Sequence, residues 1–251
     1  MKNKMNIYIS TSDNYLHLLK PFSYLFNKFW SDSQRVFILG YKSPSFELPD
    51  NFKFISMGEQ KGIQYWANDL HKFFSSIDDE HFIYSMEDHF ILDYVDIKLF
   101  EHLKNYLNKD VGRISLSTQL ANKRHDILET IENTNIIESD SSIQYRLCTQ
   151  WSIWNRNFML EYLKPNMSAW DFELQGFKEP LNDGYRVIGL ENGRVVHHAD
   201  AIRSSKFKGE FKKEKMSDYN FNSVLWNKSR KYEEEILDES VINDMKLRGM
   251  I

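Results

Sequence analysis

Residues 81–93 read HFIYSMEDHFILD, so a six-residue run with an apolar centre leads directly into Glu87, Asp88 and His89. The run is short and rich in aromatic and β-branched side chains, which predicts a buried strand. In open α/β sheets, ligands bind beyond the carboxyl ends of the strands. A carboxylate at such an end can hold Mg²⁺ or Mn²⁺ against a diphosphate. The plainer alternative for the two acids is a solvated loop with a helix cap.

The segments around this stretch alternate between strand and helix patterns. Short apolar runs predict strands at residues 5–10, 35–41, 52–57, 81–86 and 111–117. Apolar side chains at three- and four-residue steps predict helices at residues 15–30, 62–77 and 94–109. This alternation predicts an α/β fold, a Rossmann-like layered domain with a mostly parallel central sheet flanked by helices.

The second half of the chain gives less regular patterns. Residues 118–142 have no clean period and predict a loop with a weak helix. Further predictions are an edge strand at 143–148, a helix at 149–164 capped by Thr149, a helix start at Ser168, and a β-hairpin at 185–199 that turns at Asn192-Gly193. Beyond residue 209 the chain is charged and helix-prone. We therefore expect one domain, residues 1–208, and a C-terminal helical extension, residues 209–251, packed on it.

Composition excludes several classes of protein. The 251 residues are 41% hydrophobic and 15% aromatic, which is typical of a globular chain with a sizeable core. The net charge of −4 provides no basic field for nucleic acid. Cys148 is the single cysteine, and no apolar run is long enough for a signal peptide or a membrane span. We expect a cytoplasmic protein without a nucleic-acid partner or an integral membrane segment. The aromatic content fits either a ring-rich core or a homodimer interface.

Polar residues follow the first predicted strand as well. Ser10, Thr11, Ser12 and Asp13 form a short run of hydroxyls that ends in an acid. Small hydroxyls and a carboxylate suit the base and ribose of a nucleotide. A capping box for the next helix explains the same residues equally well.

The segment NMSAWDFELQGF, residues 166–177, combines a tryptophan with two acids. Trp170 offers a flat apolar face on which a sugar can stack, and Asp171 or Glu173 can take a proton from an attacking hydroxyl. An ordinary helix start with acids in its first turn is the alternative.

Basic residues cluster near position 200. Adjacent residues of a strand face opposite sides, so at most one of His197 and His198 points into a given site. Such a histidine can complete a metal site or contact phosphate, although a lone histidine is more often structural. Arg203 and Lys206 follow, and they suit either a diphosphate clamp or an ordinary charged surface.

Four segments in order resemble a group of bacterial and phage GT-A type glycosyltransferases. They are YISTSDNYLHLLKPFSYLFNKFW, FIYSMEDHFILDYVD, TQWSIWNRNFMLEYLKPNMSAWDFELQG and VVHHADAIRSSKF, and the resemblance spans about residues 5–207. It implies a GT-A-like fold that transfers a sugar from a UDP- or GDP-sugar to an acceptor hydroxyl on a carbohydrate or glycolipid, in polysaccharide or glycoconjugate synthesis. An inverting mechanism is favoured.

The resemblance also implies roles for individual residues. Glu173 matches the general base of inverting members, with Asp171 in reserve. The implied nucleotide-sugar-binding residues are Thr11, Ser12, Asp13, Glu87, Asp88, Trp170 and Lys206. Asp88 stands in the place of the family's Asp-x-Asp metal motif, with His198 as a second ligand for Mn²⁺ or Mg²⁺. In this sequence the corresponding residues are Glu87, Asp88 and His89. Two alternatives therefore remain: Asp88 alone binds the metal together with the diphosphate, or the enzyme is metal-independent.

Two other classes of function remain as alternatives. A sugar nucleotidyltransferase would more often carry a glycine-rich, basic loop after the first strand, and YISTSDN contains neither glycine nor lysine. A non-catalytic carbohydrate-binding protein would use aromatic rings but needs no acids at strand ends.

Overall fold

The computed structural model describes residues 5–175, 183–201 and 238–250. Its main feature is a nine-stranded sheet with the order β3-β2-β1-β4-β9-β6-β10-β8-β7. The strands in it are β1 (Ile7–Ser10), β2 (Val36–Gly40), β3 (Phe52–Ser56), β4 (His81–Met86), β6 (Val111–Ser115), β7 (His125–Ile131), β8 (Thr134–Ser139), β9 (Ser152–Asn155) and β10 (Arg186–Glu191). A second, two-stranded sheet pairs β5 (His89–Ile91) with β11 (His198–Asp200).

The large sheet is mostly parallel. Strands β3, β2, β1 and β4 are parallel neighbours, whereas β9 runs antiparallel to both β4 and β6. Of the nine described strands in this sheet, only β8 and β9 oppose the common direction. The predicted α/β fold with a mostly parallel central sheet is therefore confirmed.

Helices cover both faces of this sheet. The described α-helices are α1 (Leu19–Phe29), α2 (Trp66–Ser75), α3 (Ile97–Leu103), α4 (Arg156–Tyr162), α5 (Ala169–Glu173) and α6 (Glu239–Leu247). Buried side chains of α1, α3 and α6 join the core cluster that contains Ile7 and Ile9 of β1. Those of α2, α4 and α5 join the cluster that contains Tyr8, which faces the opposite way. Two apolar layers therefore enclose the sheet, as its alternating strand residues require.

The prediction of a loop at 118–142 is wrong, because β7 and β8 form an antiparallel hairpin there. The register shifts between Ile127 and Glu129, so the strand contains an irregularity that interrupts its two-residue alternation. Ile127 and Leu128 are also exposed on this edge strand. These two features explain why the sequence shows no clean period.

The predicted edge strand at 143–148 is also wrong, because this segment consists of turns. Tyr145 has a positive φ of 61°, and Arg146 is buried. The helix predicted at 149–164 is wrong in its first part, since β9 precedes α4 and Asn155 is the N-cap in place of Thr149. Both faces of β9 are covered, so its side chains are buried throughout and give no alternation that would indicate a strand.

The predicted hairpin at 185–199 does not form, although Asn192 has the positive φ of 60° that suits a turn. Strand β10 already lies between β6 and β8, so neither of its edges is free for a hairpin partner. The returning chain instead donates hydrogen bonds from Val195 and Val196 to Leu116 O, and then pairs with β5 as β11.

The C-terminal helix α6 lies against α1, within the part of the chain that the sequence predicts to be helix-prone. Val241 and Met245 are buried in the core, and Tyr24 donates a hydrogen bond to Asp244. The proposed boundary between residues 208 and 209 lies outside the described residues and stays a prediction. Among the helices of the described part, none has the length and apolar character needed to cross a membrane.

Candidate functional site

The helical connections switch from one face of the sheet to the other between β1 and β4. These strands are parallel neighbours, and Ser10 pairs with Met86 at their carboxyl ends. The connection that leaves β1 passes through α1 on one face, whereas the connection that enters β4 passes through α2 on the other face. In α/β proteins a crevice at such a point is the usual ligand site. Thr11 and Glu87 are the first residues beyond these two strand ends.

The Ser10–Asp13 turn and the acid pair, which are distant in sequence, meet at this point. Thr11 Oγ1 donates a hydrogen bond of 3.2 Å to Glu87 Oε1, and Glu87 N donates one of 3.3 Å to Ser10 O. Glu87 is only 2% exposed, and its Oε2 has no hydrogen-bond partner within the described parts of the chain. Burial, followed by the neighbouring charge of Asp88, raises the pKa of Glu87 well above its usual value.

Asp88 has a similar unpartnered oxygen. Its Oδ1 is buried without a hydrogen bond from any described residue, and the Nε2 atom of His89 lies 3.9 Å away. Burial raises the pKa of Asp88, His89 opposes this increase, and Asp200 adds to it. Two buried carboxylate oxygens without donors are costly unless a ligand or cation compensates them. Oxygen donors of this kind suit Mg²⁺ or Mn²⁺.

The small β5–β11 sheet places further polar groups beside Asp88. His89 pairs with Asp200 across the two strands, and its Nε2 atom is 3.8 Å from Asp200 Oδ1. On the other side of the ring, His89 Nδ1 is 2.8 Å from Ser85 Oγ. The sequence prediction missed Asp200, and the available signal was its position two residues after His198, which places both on one side of the strand.

His198 lies next to His89, with the ring centroids 5.4 Å apart. Its Nδ1 atom is buried and forms no hydrogen bond with any described residue. Burial, and then the nearby His89 and His197, lower the pKa of His198 well below its usual value. The ring is therefore neutral near pH 7, the form in which histidine binds metals. Within the described ranges, no group of three or more His, Cys, Asp or Glu side chains is arranged around a common metal position.

Glu173 reaches the same edge of the sheet from α5. Its Oε1 accepts hydrogen bonds from both the amide and the hydroxyl of Thr149, each 2.6 Å long. Thr149 Oγ1 is also 3.4 Å from Met86 Sδ, at the end of β4. The predicted base is therefore placed beside the strand end that carries Glu87 and Asp88.

Asp171 and Trp170 occupy the exposed side of α5. Asp171 Oδ2 accepts hydrogen bonds from Ser168 N at 2.9 Å and Ser168 Oγ at 2.7 Å. Asp171 N donates in return to Ser168 Oγ at 3.2 Å, so the capping box is complete and the predicted helix start is confirmed. These bonds lower the pKa of Asp171. Trp170 is 62% exposed, so its ring is accessible to a ligand.

Asp13 connects the turn after β1 to the loops after β2 and β3. Its Oδ1 accepts a hydrogen bond of 2.9 Å from Lys42 N, and its own amide donates one of 3.0 Å to Gln60 Oε1. Ser12 between them is half-buried. The predicted nucleotide turn is thus fixed across the ends of three neighbouring strands. Lys206 and Arg203 lie outside the described residues.

Comparison with known proteins gives only weak similarity to solved structures. No family model matches the chain, and no curated protein sequence matches it. Among solved structures, S. aureus TarS (residues 1–349) is 14% identical with a TM-score of 0.47, and the match covers 77% of this chain and 60% of TarS.

Two other solved structures match at 10% identity. HddC from Yersinia pseudotuberculosis has a TM-score of 0.44, with 78% of this chain and 93% of that chain covered. An apo UDP-glucose pyrophosphorylase has a TM-score of 0.43, with 79% and 93% covered. Likeness at this level assigns no activity, so function has to be inferred from the site.

Proposed function

We propose that this protein is a glycosyltransferase that moves a sugar from a UDP- or GDP-sugar to an acceptor hydroxyl, with inversion at the anomeric carbon. The observation that supports this most directly is the meeting of Glu87, Asp88 and Glu173 at the carboxyl edge of β4. Glu87 and Asp88 would face the diphosphate through a cation, and Glu173 would face the acceptor. These acids lie close together at this edge of the sheet. An acceptor on a carbohydrate or glycolipid fits polysaccharide or glycoconjugate synthesis.

The donor half of the site is formed by β1 and β4. The Thr11–Asp13 turn binds the base and ribose of the nucleotide, because its hydroxyls and carboxylate offer both donors and acceptors. Asp88 and His198 are the residues that would hold Mn²⁺ or Mg²⁺. They fit this role because Asp88 has a buried carboxylate oxygen that no described residue donates to, and His198 is a neutral imidazole. When bound, the cation neutralises charge on the departing nucleoside diphosphate.

The acceptor half is formed by α5. Trp170 stacks on the acceptor or donor sugar, and Glu173 removes the proton of the attacking hydroxyl. The bond from the acceptor oxygen to the anomeric carbon forms while the bond to the diphosphate oxygen breaks. A single displacement of this kind inverts the configuration. Asp171 is the reserve base, but its carboxylate is already engaged in the cap of α5.

A donor screen tests the class of reaction. The protein is incubated with a panel of nucleotide sugars and acceptors, and mass spectrometry identifies the released nucleotide. Release of a nucleoside diphosphate supports a glycosyltransferase. Formation of pyrophosphate from a sugar phosphate and a nucleoside triphosphate supports a nucleotidyltransferase instead. Thermal stabilisation by sugars alone, without any nucleotide effect, supports a carbohydrate-binding protein.

Two substitutions test the residue roles. Glu173→Gln should lower turnover by about 10²- to 10⁴-fold with nearly unchanged donor affinity, because it removes only the proton acceptor. Unchanged turnover would exclude Glu173 as the base. Asp88→Asn should weaken Mn²⁺-dependent binding of UDP- or GDP-sugar in calorimetry. Equal donor affinity with and without Mn²⁺, in wild type and variant, would exclude the metal.

A further inference from the structure

Thr149 lies between the donor half and the acceptor half of the site. It is 3% exposed, and its hydroxyl is 2.6 Å from Glu173 Oε1 and 3.4 Å from Met86 Sδ. A hydroxyl has a single proton to donate, and a carboxylate is a much stronger acceptor than a thioether. The proton therefore belongs to the bond with Glu173, and the thioether of Met86 packs beside it.

The backbone of Thr149 contributes a second bond to the same oxygen. Thr149 N donates to Glu173 Oε1 at 2.6 Å, so amide and hydroxyl converge on one carboxylate oxygen. The thiol of Cys148 is a third and weaker hydrogen-bond neighbour of Glu173. The two Thr149 donors on Oε1 orient the carboxylate, and Oε2 receives neither of these bonds.

Arg113 fixes the turn that carries Thr149. Its guanidinium is fully buried, and it donates to Arg146 O at 2.9 Å, Tyr145 O at 3.4 Å and Gln119 Oε1 at 3.1 Å. None of the described acids forms an ion pair with it. A buried cation without a directly bonded acid is costly, although the charge of Glu173 partly offsets this cost for Arg113. Hydrogen bonds to the carbonyls of this turn offset the cost only while the turn keeps its shape.

We propose that Thr149 is a positioning residue for Glu173. The turn that Arg113 fixes places Thr149 beside Glu173, and Thr149 orients the Glu173 carboxylate so that Oε2 meets the acceptor hydroxyl. The inference rests on the proposed function, since it concerns the base of that reaction. Thr149 itself touches neither the donor nor the acceptor in this role, and it therefore acts on turnover rather than on binding.

The test compares Thr149→Val, which keeps the shape and removes the hydroxyl, with Thr149→Ser, which keeps the hydroxyl. Thr149→Ala is the second variant that lacks the hydroxyl, for use if the valine side chain disturbs folding. Thr130→Val is the matched control, because Thr130 donates a 2.8 Å hydrogen bond to Asn135 on the exposed β7–β8 hairpin. Steady-state kinetics are measured for each variant, alone and combined with Glu173→Gln.

We expect Thr149→Val to lower kcat about 10- to 100-fold with the donor KM changed less than about twofold, as for a misplaced catalytic group. Thr149→Ser and Thr130→Val should match the wild type. In the Glu173→Gln background, Thr149→Val should add no further loss, because both changes act on the same group. A kcat for Thr149→Val equal to that of Thr130→Val overturns the proposal, as does a loss confined to KM.

A second measurement does not depend on turnover. The ¹³C resonance of the Glu173 side-chain carboxyl is assigned by its disappearance in Glu173→Gln and is then followed in the Thr149 variants. A shift in Thr149→Val that is absent in Thr149→Ser supports the positioning contact, even if no donor proves active and the proposed reaction fails. An unchanged resonance in Thr149→Val overturns the contact, even if the reaction is established.

Discussion

Replacing Asp183 by asparagine should destabilise the protein strongly. The Asp183 carboxylate accepts two parallel hydrogen bonds from Arg146, of 2.6 and 2.9 Å, and the two side chains are 4% and 1% exposed. The substitution leaves a buried guanidinium without its counter-charge, which costs about 3–5 kcal/mol. At roughly 2–4 °C per kcal/mol for a chain of this size, the melting temperature should fall by about 6–20 °C.

The same pair predicts a dependence on pH. Burial alone would raise the pKa of Asp183, but hydrogen bonds from Arg146 and Tyr162 outweigh it and lower the pKa overall. A folded pKa below the unfolded value of about 3.9 adds stability above that value, and this contribution is lost as the pH falls through the folded pKa. The difference between wild type and Asp183→Asn should therefore be constant near neutral pH and shrink below about pH 4.

Urea denaturation at pH 7, repeated in acid, measures both effects. The matched control is Glu138→Gln, which removes the carboxylate partner of Arg186 in a pair whose side chains are 30% and 36% exposed. That pair is accessible to water, so its loss should cost at most about 1 kcal/mol. Equal stability of Asp183→Asn and Glu138→Gln would refute the argument that burial makes the Arg146 pair indispensable.

Three further predictions concern the site. Asp171→Ala removes the capping box, so it should lower stability by about 0.5–2 kcal/mol and leave kcat unchanged. A large fall in kcat would indicate that Asp171, and not Glu173, is the base. Trp170→Ala should change stability by less than about 0.5 kcal/mol because the ring is exposed. It should raise the KM for the donor or for the acceptor sugar, and an unchanged KM for both would exclude stacking. Glu87 has a raised pKa, so wild-type stability should decline as the pH rises above about 4.3. Urea midpoints at pH 5 and pH 8 should differ less in Glu87→Gln, and an equal difference would contradict this.

The first half of the fold was predictable because its pattern is local. Helix α1 buries seven residues at helical spacing, and β4 matches the predicted strand at residues 81–86. The short strand β5 directly after the acids was missed. Its three residues pair only with β11, more than a hundred positions later, and nothing near them in sequence indicates that partner.

The second half shows where local patterns fail. Strand β9 is covered on both faces, so its apolar run reads equally well as helix. Asn192 and Gly193 favour a turn, yet β10 has no open edge to complete a hairpin because β6 and β8 occupy both sides. Pairing of this kind depends on the whole sheet, which a scan of neighbouring residues does not include.

The amino-acid sequence was sufficient for the α/β alternation, for the cap of α5 and for Asp88 and Glu173 as candidates, because spacing and residue chemistry are properties of short segments. It could not show that Thr11 bonds Glu87, that Thr149 holds Glu173, or that His89 pairs with Asp200. Each of these contacts joins segments that are far apart in the chain. Strand order and strand pairing bring them together, so they exist only once the sheets have formed.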